Sequence, residues 1–196
     1  MQILKININK ITQEKIDLIA GYLKSGKVIV YPTDTVYGLG CDARNAEAIK
    51  KINKIKGEKG NKPLIALISD FLMLRQYCFI NQEPEKYLKA VWPGKVTVIL
   101  KRRPILPDEL TGGRNSLAVR LPKNDFLIKI ISEAGLPIVS TSLNKKGEKP
   151  LSEVKNLEKY FKYLPDLAID AGECQRTRPS RLVDLRDIKN IKVIRK

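Results

Sequence analysis

The stretch that decides the fold is VIVYPTDTVYGLG, which occupies residues 28–40. Its first four residues form a short apolar run rich in β-branched side chains, which predicts a buried strand. A polar turn follows at once and carries the hydroxyls of Thr33 and Thr35, and the two closing glycines would let backbone approach a ligand. Because α/β folds usually bind ligands where strands end, this turn is a candidate binding loop. The alternative is a turn whose hydroxyls only satisfy backbone groups.

Apolar strands and amphipathic helices alternate through the rest of the chain. The first helix has apolar residues at 16, 19, 20 and 23, between an N-cap at Thr12 and a stop at Gly26. Further helices are predicted after Asn45, after Asp70, and over 125–134 and 152–161, with strands at 64–68, 96–100, 117–121, 137–141, 168–170, 182–184 and 192–194. This alternation predicts a single α/β domain over residues 1–196 with a largely buried sheet.

The composition excludes several reaction classes. The 196 residues include no histidine, so a Ser-His-Asp triad, a Cys-His pair and a histidine-ligated zinc site are ruled out. Chemistry must come from hydroxyls, carboxylates, lysines, arginines, backbone amides or a bound metal. The net charge of +16 favours a polyanionic partner, with a lysine-rich genome bias as the alternative.

The cysteines indicate a reducing compartment. Cys41, Cys78 and Cys174 are far apart, odd in number and form no CxxC pair, so neither a disulfide framework nor a zinc site is expected. The N-terminus lacks the long apolar segment of a secretory signal, and no apolar run is long enough to span a bilayer. The sequence therefore predicts a cytoplasmic protein that does not associate with membranes.

Several further segments could hold anions. A Gly-rich loop at 56–64 carries lysines at the end of a predicted helix, where lysines also suit the helix dipole. Residues 140–144, STSLN, place three hydroxyls and an amide after a predicted strand. Arg120 lies within an apolar strand, and a buried guanidinium needs an anionic partner. The remaining candidates are PSRLVD at 179–184 and Arg195.

Six motifs occur in one order along nearly the whole chain: PTDTVYGLG, KG…KPL, WPG with Thr97, SLAVRLP, STSLN and PSRLVD. In this set and order the chain resembles the YrdC-like family of threonylcarbamoyl-adenylate synthases. The resemblance implies a twisted mixed α/β sheet, flanked by helices, around a deep basic groove. It also implies the short form of the family, without the C-terminal extension of longer relatives.

The resemblance further implies a nucleotidyltransferase. L-threonine, bicarbonate and ATP, with Mg2+, would give threonylcarbamoyl-AMP and pyrophosphate, the first step of threonylcarbamoyl-adenosine modification of tRNA. A separate tRNA-modifying transferase complex would then take the product. Such a reaction needs anions to be positioned and neutralised rather than a side-chain nucleophile, which fits a chain without histidine.

Residue roles are implied by the matching positions. Threonine would be bound by Thr35, Arg120, Ser140 and Ser180. ATP would be bound by Thr33, Lys56, Lys62, Ser116, Ser142, Asn144 and Arg195. Lys56 and Arg120 would stabilise charge, no side chain would act as a covalent catalyst, and no metal ligand is specified.

Glu58 departs from the family pattern. The family usually has arginine at this position, and a carboxylate beside a triphosphate is repulsive unless Lys59 or Lys62 compensates or Glu58 turns toward Mg2+. Two other interpretations stay open, and Glu58 favours the first of them. One is a non-catalytic YrdC-like RNA-binding protein, and the other is a carbamoyl transferase that forms carbamoyl-adenylate.

Overall fold

The computed structural model describes residues 1–33, 36–59, 62–174 and 179–195. Its strands are β1 (Gln2–Lys5), β2 (Ile29–Tyr31), β3 (Gly38–Gly40), β4 (Ile65–Leu67), β5 (Val96–Lys101), β6 (Ser116–Arg120), β7 (Ile138–Ser142), β8 (Leu167–Asp170), β9 (Arg181–Asp184) and β10 (Lys192–Arg195). Its helices are α1 (Gln13–Lys24), α2 (Ala46–Lys56), α3 (Phe71–Tyr77), α4 (Gln82–Val91), α5 (Asp108–Thr111), α6 (Asp125–Ala134) and α7 (Leu157–Tyr160). None of these described helices is both long and apolar enough to cross a membrane.

The strands form one mixed sheet in the order β1-β8-β2-β3-β7-β4-β6-β5-β9-β10. The pairs β1–β8, β8–β2, β4–β6 and β5–β9 are parallel. The other neighbours are antiparallel. The predicted fold class, an α/β fold with a mixed sheet, is therefore confirmed, and the basic groove stays a prediction.

Local capping explains where the predicted helices begin. The side chain of Asn45 accepts a hydrogen bond from the backbone N of Ala48 at 3.0 Å, at the start of α2. Asp70 accepts from the backbone N of Met73 at 2.7 Å, at the start of α3. Thr12 occupies the N-cap of α1 without a capping hydrogen bond from its side chain. The helix starts predicted after Asn45 and Asp70 are confirmed, because each cap satisfies an otherwise unpaired amide.

A tyrosine ring, rather than a ligand, fills the space above Gly40. The segment Gly38–Gly40 is strand β3, antiparallel to β2. A Cβ on Gly40 would lie 2.6 Å from Cε1 of Tyr31 and 2.4 Å from the carbonyl oxygen of Val139. The Tyr31 hydroxyl donates to that same carbonyl at 3.1 Å. Our expectation that this glycine admits a ligand is wrong, because the buried ring of Tyr31 crosses β3 to reach β7.

The predicted helix over 152–161 is wrong for most of its length. Helix α7 comprises only Leu157–Tyr160. Asn156, just before it, has a φ of 60°, a left-handed conformation that ends any helix approaching from upstream. The carbonyl of Ser152 instead accepts a hydrogen bond from the backbone N of Cys174 at 2.8 Å. A partner distant in sequence therefore replaces the helical hydrogen bond.

Candidate active site

One cavity of about 470 Å³ collects most of the predicted binding residues. Its described lining comes from the turn after β2, the start of β3, strands β4, β6 and β7, the loop after β7, the segment before β9, and β10. The polar and charged lining residues are Thr33, Tyr37, Arg120, Ser140, Thr141, Ser142, Lys149, Ser180 and Arg195. The cavity therefore brings together side chains from several strands and from the segments that join them.

Sheet register brings residues that are distant in sequence onto one wall. Ser140 of β7 pairs with Ile65 of β4, and Leu67 of β4 pairs with Arg120 of β6. Ser142 pairs with Gly38 of β3. Arg120 is level with Ile138, because both pair with Leu67. Ser142 lies further along β7 by ~13 Å, at a rise of ~3.3 Å per residue, so Arg120 and Ser142 mark opposite ends of the wall.

Arg120 is buried and fixed by the chain that precedes β5. Its Nε donates to the carbonyl oxygen of Gly94 at 2.8 Å, and the backbone N of Gly94 donates to the carbonyl of Leu121 at 3.0 Å. Arg120 as a whole residue is 7% exposed, and it lines the cavity. A guanidinium held in this way offers a planar fork to a carboxylate.

Ser180 and Arg195 meet at the same end of the cavity as Arg120. Oγ of Ser180 lies 2.8 Å from Oγ1 of the fully buried Thr97. Arg195 donates from Nε and Nη2 to the carbonyl oxygen of Ser180, at 3.0 and 2.8 Å. The predicted ATP ligand Arg195 therefore touches the predicted threonine ligand Ser180, so the two predicted sets adjoin here.

The turn after β2 holds its own shape through Thr33. Its hydroxyl donates to the carbonyl of Val36 at 2.6 Å, and the backbone N of Val36 donates to Oγ1 of Thr33 at 3.2 Å. These two bonds agree with the interpretation of the hydroxyl as a partner of the turn backbone. Thr33 also lines the cavity. Thr35, predicted to bind threonine, lies outside the described residues.

Tyr37 ties the start of β3 to the segment after β8. Its hydroxyl donates to the carbonyl of Gly172 at 2.7 Å and accepts from the backbone N of Ala171 at 2.9 Å. Burial raises the pKa of Tyr37 to about 12, against a smaller lowering by the Ala171 amide. The phenol therefore stays protonated near neutral pH, with its donor committed to Gly172.

Lys56 organises the segment after β7 instead of lining the cavity. Its ammonium donates to the carbonyls of Ser142 and Asn144, at 2.6 and 2.9 Å, and to Oδ1 of Asn144 at 3.1 Å. Burial lowers the pKa of Lys56 to about 8, while Glu58 raises it and Lys62 lowers it. All three ammonium donors are satisfied by protein oxygens, so direct phosphate binding would require Lys56 to exchange one of them.

Glu58 is paired with Lys62, one of the two lysines that we expected to neutralise its charge. Nζ of Lys62 lies 3.3 Å from Oε2 of Glu58. The pair lacks hydrogen-bond geometry, and Oε2 is buried without a hydrogen bond from any residue that the structure describes. Lys62 is mostly exposed, so the pair neutralises charge on the 56–64 loop without fully satisfying the carboxylate.

The predicted site residues divide into two groups. Those on the cavity wall are Thr33, Arg120, Ser140, Ser142, Ser180 and Arg195, and those away from it are Lys56, Lys62, Ser116 and Asn144. Asn144 is nevertheless linked to the wall, since it accepts from the hydroxyl of Ser142. Ser116 is buried at the opposite end of β6 from Arg120. Their assigned roles remain predictions.

Sequence reasoning did not identify Lys149 as a lining residue, and it noted Thr97 only as part of a motif. Lys149 follows the STSLN motif by several residues, and no pattern indicates that the loop turns back toward the cavity. Thr97 is followed by the apolar run of β5, and its polarity among apolar neighbours was the available signal. The described residues contain no group of three acidic or cysteine side chains that could hold a metal ion.

Comparisons with known proteins give a consistent result. The Sua5/YciO/YrdC family model, described as "Telomere recombination", matches residues 21–196. A threonylcarbamoyl-AMP synthase of Pyrococcus abyssi is 34% identical over 182 residues, covering 92% of this chain and 54% of that protein. A putative threonylcarbamoyl-AMP synthase of Methanocaldococcus jannaschii is 30% identical over 192 residues, covering 96% of this chain and 90% of that protein.

A solved structure has the same fold. The crystal structure of Pyrococcus abyssi Sua5 complexed with L-threonine superposes with a TM-score of 0.86 at 32% identity, covering 94% of this chain and 54% of that one. The chain thus spans about half the length of each Pyrococcus abyssi protein. The similarity extends through the strands that carry the cavity wall.

Proposed function

The chain belongs to the Sua5/YciO/YrdC family, and from this premise we propose that it is an enzyme that synthesises threonylcarbamoyl-AMP. The substrates would be L-threonine, bicarbonate and ATP, and pyrophosphate would be released. The observation that carries the proposal is the convergence of Arg120, Ser140 and Ser180 on one cavity wall. A cation beside two hydroxyls matches the carboxylate, amine and hydroxyl of threonine.

Threonine would bind at the Arg120 end of the cavity. The guanidinium of Arg120 is held by Gly94 and would pair with the carboxylate. The hydroxyl of Ser180 is oriented by Thr97 and would contact the amine or side-chain hydroxyl. In support, the solved relative contains L-threonine in a similar fold.

ATP would extend toward the Ser142 end. There Ser142 lines the cavity, and Lys56 donates to the carbonyls of Ser142 and Asn144. We propose that Lys56 contributes charge and fixed geometry to this end of the site. Buried cations of this kind stabilise negative charge that develops on phosphate oxygens.

The reaction would need positioning more than covalent catalysis. The threonine amine attacks the carbon of bicarbonate, and loss of water gives a carbamate. A carbamate oxygen then attacks the α-phosphorus of ATP, the bond from that phosphorus to the α,β-bridging oxygen breaks, and the β- and γ-phosphates leave as pyrophosphate. Arg120 and Arg195 would hold the two anions together, which lowers the entropic part of the barrier. The product would pass to a separate complex that modifies tRNA in the cytoplasm.

Mg2+ would enter as part of the MgATP substrate. Mg2+ commonly keeps several waters and binds through phosphates plus one or two carboxylates. The described residues provide no cluster of acidic side chains that would form a complete Mg2+ site. The phosphate oxygens of ATP and water would therefore supply most of the ligands of Mg2+. When bound, Mg2+ supplies charge neutralisation on the phosphate chain.

The test is threonine-dependent release of pyrophosphate from ATP, Mg2+ and bicarbonate. We expect release only when threonine is present. Arg120→Lys should raise the KM for threonine by about tenfold or more, since lysine lacks the bidentate fork. The control Arg181→Lys changes an exposed arginine of β9 and should behave as wild type. Absence of threonine-dependent release would overturn the proposal, and threonine-independent release would favour carbamoyl-adenylate formation.

RNA binding without catalysis is a second candidate, favoured by the net charge of +16. It predicts tight tRNA binding that weakens steeply with salt, in a protein that releases no pyrophosphate. Such a function does not need a buried arginine, Arg120, beside the cavity residues Ser140 and Ser180. Both assays on the same preparation therefore separate the two candidates.

A further inference from the structure

The loop after β7 places one uncommitted positive charge on the cavity wall. Lys149 lines the cavity beside Pro150, and the residue is exposed. Within the described parts of the chain, its ammonium forms no hydrogen bond or ion pair. A lysine head group in this situation is free to follow a ligand that enters the cavity.

The other cations near the cavity are already engaged. Arg195 donates twice to the carbonyl of Ser180. Lys56 has three protein acceptors, and Lys62 is paired with Glu58. Among the described residues that line the cavity, Lys149 is therefore the cation whose charge is not already engaged by protein oxygens.

The loop that carries Lys149 is tied down on both sides. The backbone N of Lys146 donates to the carbonyl of Lys56 at 2.9 Å, and that of Leu151 donates to the carbonyl of Leu143 at 2.9 Å. Within the loop, Nδ2 of Asn144 donates to the carbonyl of Glu148 at 2.9 Å. The backbone on both sides of Lys149 is thus held in place, while its side chain is exposed.

We propose that Lys149 binds the outer phosphates of a polyphosphate at the Ser142 end of the cavity. The inference rests on the proposed function for the identity of that polyphosphate as ATP. Lys149 would supply the positive charge that position 58 does not supply in this chain. The interaction is an exposed ammonium–phosphate pair, so it should be strong at low salt and screened at high salt.

The experiment compares Lys149→Met with Lys146→Met. Both changes remove one exposed charge and keep most of the methylene stem, but Lys146 does not line the cavity. Inorganic tripolyphosphate is the probe, titrated calorimetrically at low and high salt. We expect Lys149→Met to weaken tripolyphosphate binding by about fivefold at low salt and Lys146→Met to leave it unchanged. L-threonine affinity should be unchanged in both.

Equal effects of the two variants would overturn the inference, since they would show general charge attraction. Failure of wild type to bind tripolyphosphate would overturn it as well. The pyrophosphate-release assay reports separately on the proposed function, because tripolyphosphate binding needs no threonine and no turnover. If Lys149→Met bound tripolyphosphate normally and wild type released pyrophosphate, the proposed role of Lys149 would be rejected while the proposed function would stand.

Discussion

Oγ1 of Thr97 lies 2.8 Å from Oγ of Ser180, and both hydroxyls are buried at the Arg120 end of the cavity. The contact joins β5 to the segment just before β9. Ser180 is also held through its carbonyl by Arg195. The position of the Ser180 hydroxyl is thus set by a residue that does not itself line the cavity.

Replacing Thr97 with Val should weaken threonine binding and lower stability. The variant keeps the shape of the side chain but leaves Ser180 without its close partner, a loss of ~1 kcal/mol in unfolding free energy. We expect the KM for threonine to rise about threefold to tenfold while the KM for ATP stays near wild type. Urea denaturation and pyrophosphate release measure the two effects.

Thr111→Val is the matched control. Thr111 is equally buried, but its hydroxyl has no hydrogen-bond partner among the described residues. Removing an unsatisfied buried hydroxyl should leave stability unchanged or raise it by ~1 kcal/mol. If both variants lost stability equally, the Thr97–Ser180 contact would not be the cause.

Glu58→Gln should improve ATP binding. The change removes the carboxylate that neutralises Lys62 and leaves an amide of similar size. We expect the KM for ATP to fall by about threefold, with threonine kinetics unaffected. Glu153→Gln, which loosens an exposed pair with Lys155, should change nothing. A higher KM for ATP would instead indicate that Glu58 assists the metal–ATP complex.

Lys56→Met should flatten the dependence of stability on pH. Burial lowers the pKa of Lys56 to about 8, whereas an unfolded lysine titrates at about 10.4. Between these values the unfolded chain holds the proton and the folded chain does not, so the unfolding free energy of wild type rises with pH. Lys56→Met lacks this titrating group, so its unfolding free energy should rise less with pH.

The measurement is urea denaturation of both proteins across that pH window. Lys56→Met should also be less stable at every pH, because the carbonyls of Ser142 and Asn144 lose their donor. Lys59→Met is the control: Lys59 is exposed, so this variant should show the same pH dependence of the unfolding free energy as wild type. A constant difference between Lys56→Met and wild type across the window would contradict the burial of the charge.

Local interactions explain which elements the sequence predicts. Helix α6 follows its predicted range because Asn124 caps it and Gly135 ends it with a φ of 65°. Strand β3 could not be predicted, since Gly-Leu-Gly has low β-propensity. Its two glycines leave the room that the Tyr31 ring occupies across the strand. The failed helix at 152–156 likewise depends on Cys174, a partner distant in sequence.

The candidate site follows a similar division. Arg120 and Ser142 each end a strand, but β7 runs antiparallel to β4 and β6 runs parallel to it, so the two residues lie at opposite ends of the wall. The strand-end rule for α/β folds predicts each of them as a site residue without predicting this arrangement. The inward direction of the Lys56 ammonium could not be predicted, because it depends on the path of the chain after β7. Lys149 depends on that same path.

Gly40→Ala should destabilise the fold through Tyr31. The added methyl would lie 2.4 Å from the carbonyl oxygen of Val139 and 2.6 Å from Cε1 of the ring, so either β7 or the buried ring must move. We expect a loss of ~2–3 kcal/mol in unfolding free energy. Gly21→Ala, in α1 with nothing within 4 Å of the new Cβ, should instead stabilise by ~0.5–1 kcal/mol. Urea denaturation of both variants tests the sign. A Gly40→Ala protein as stable as wild type would show that the Tyr31 ring does not fill the space above Gly40.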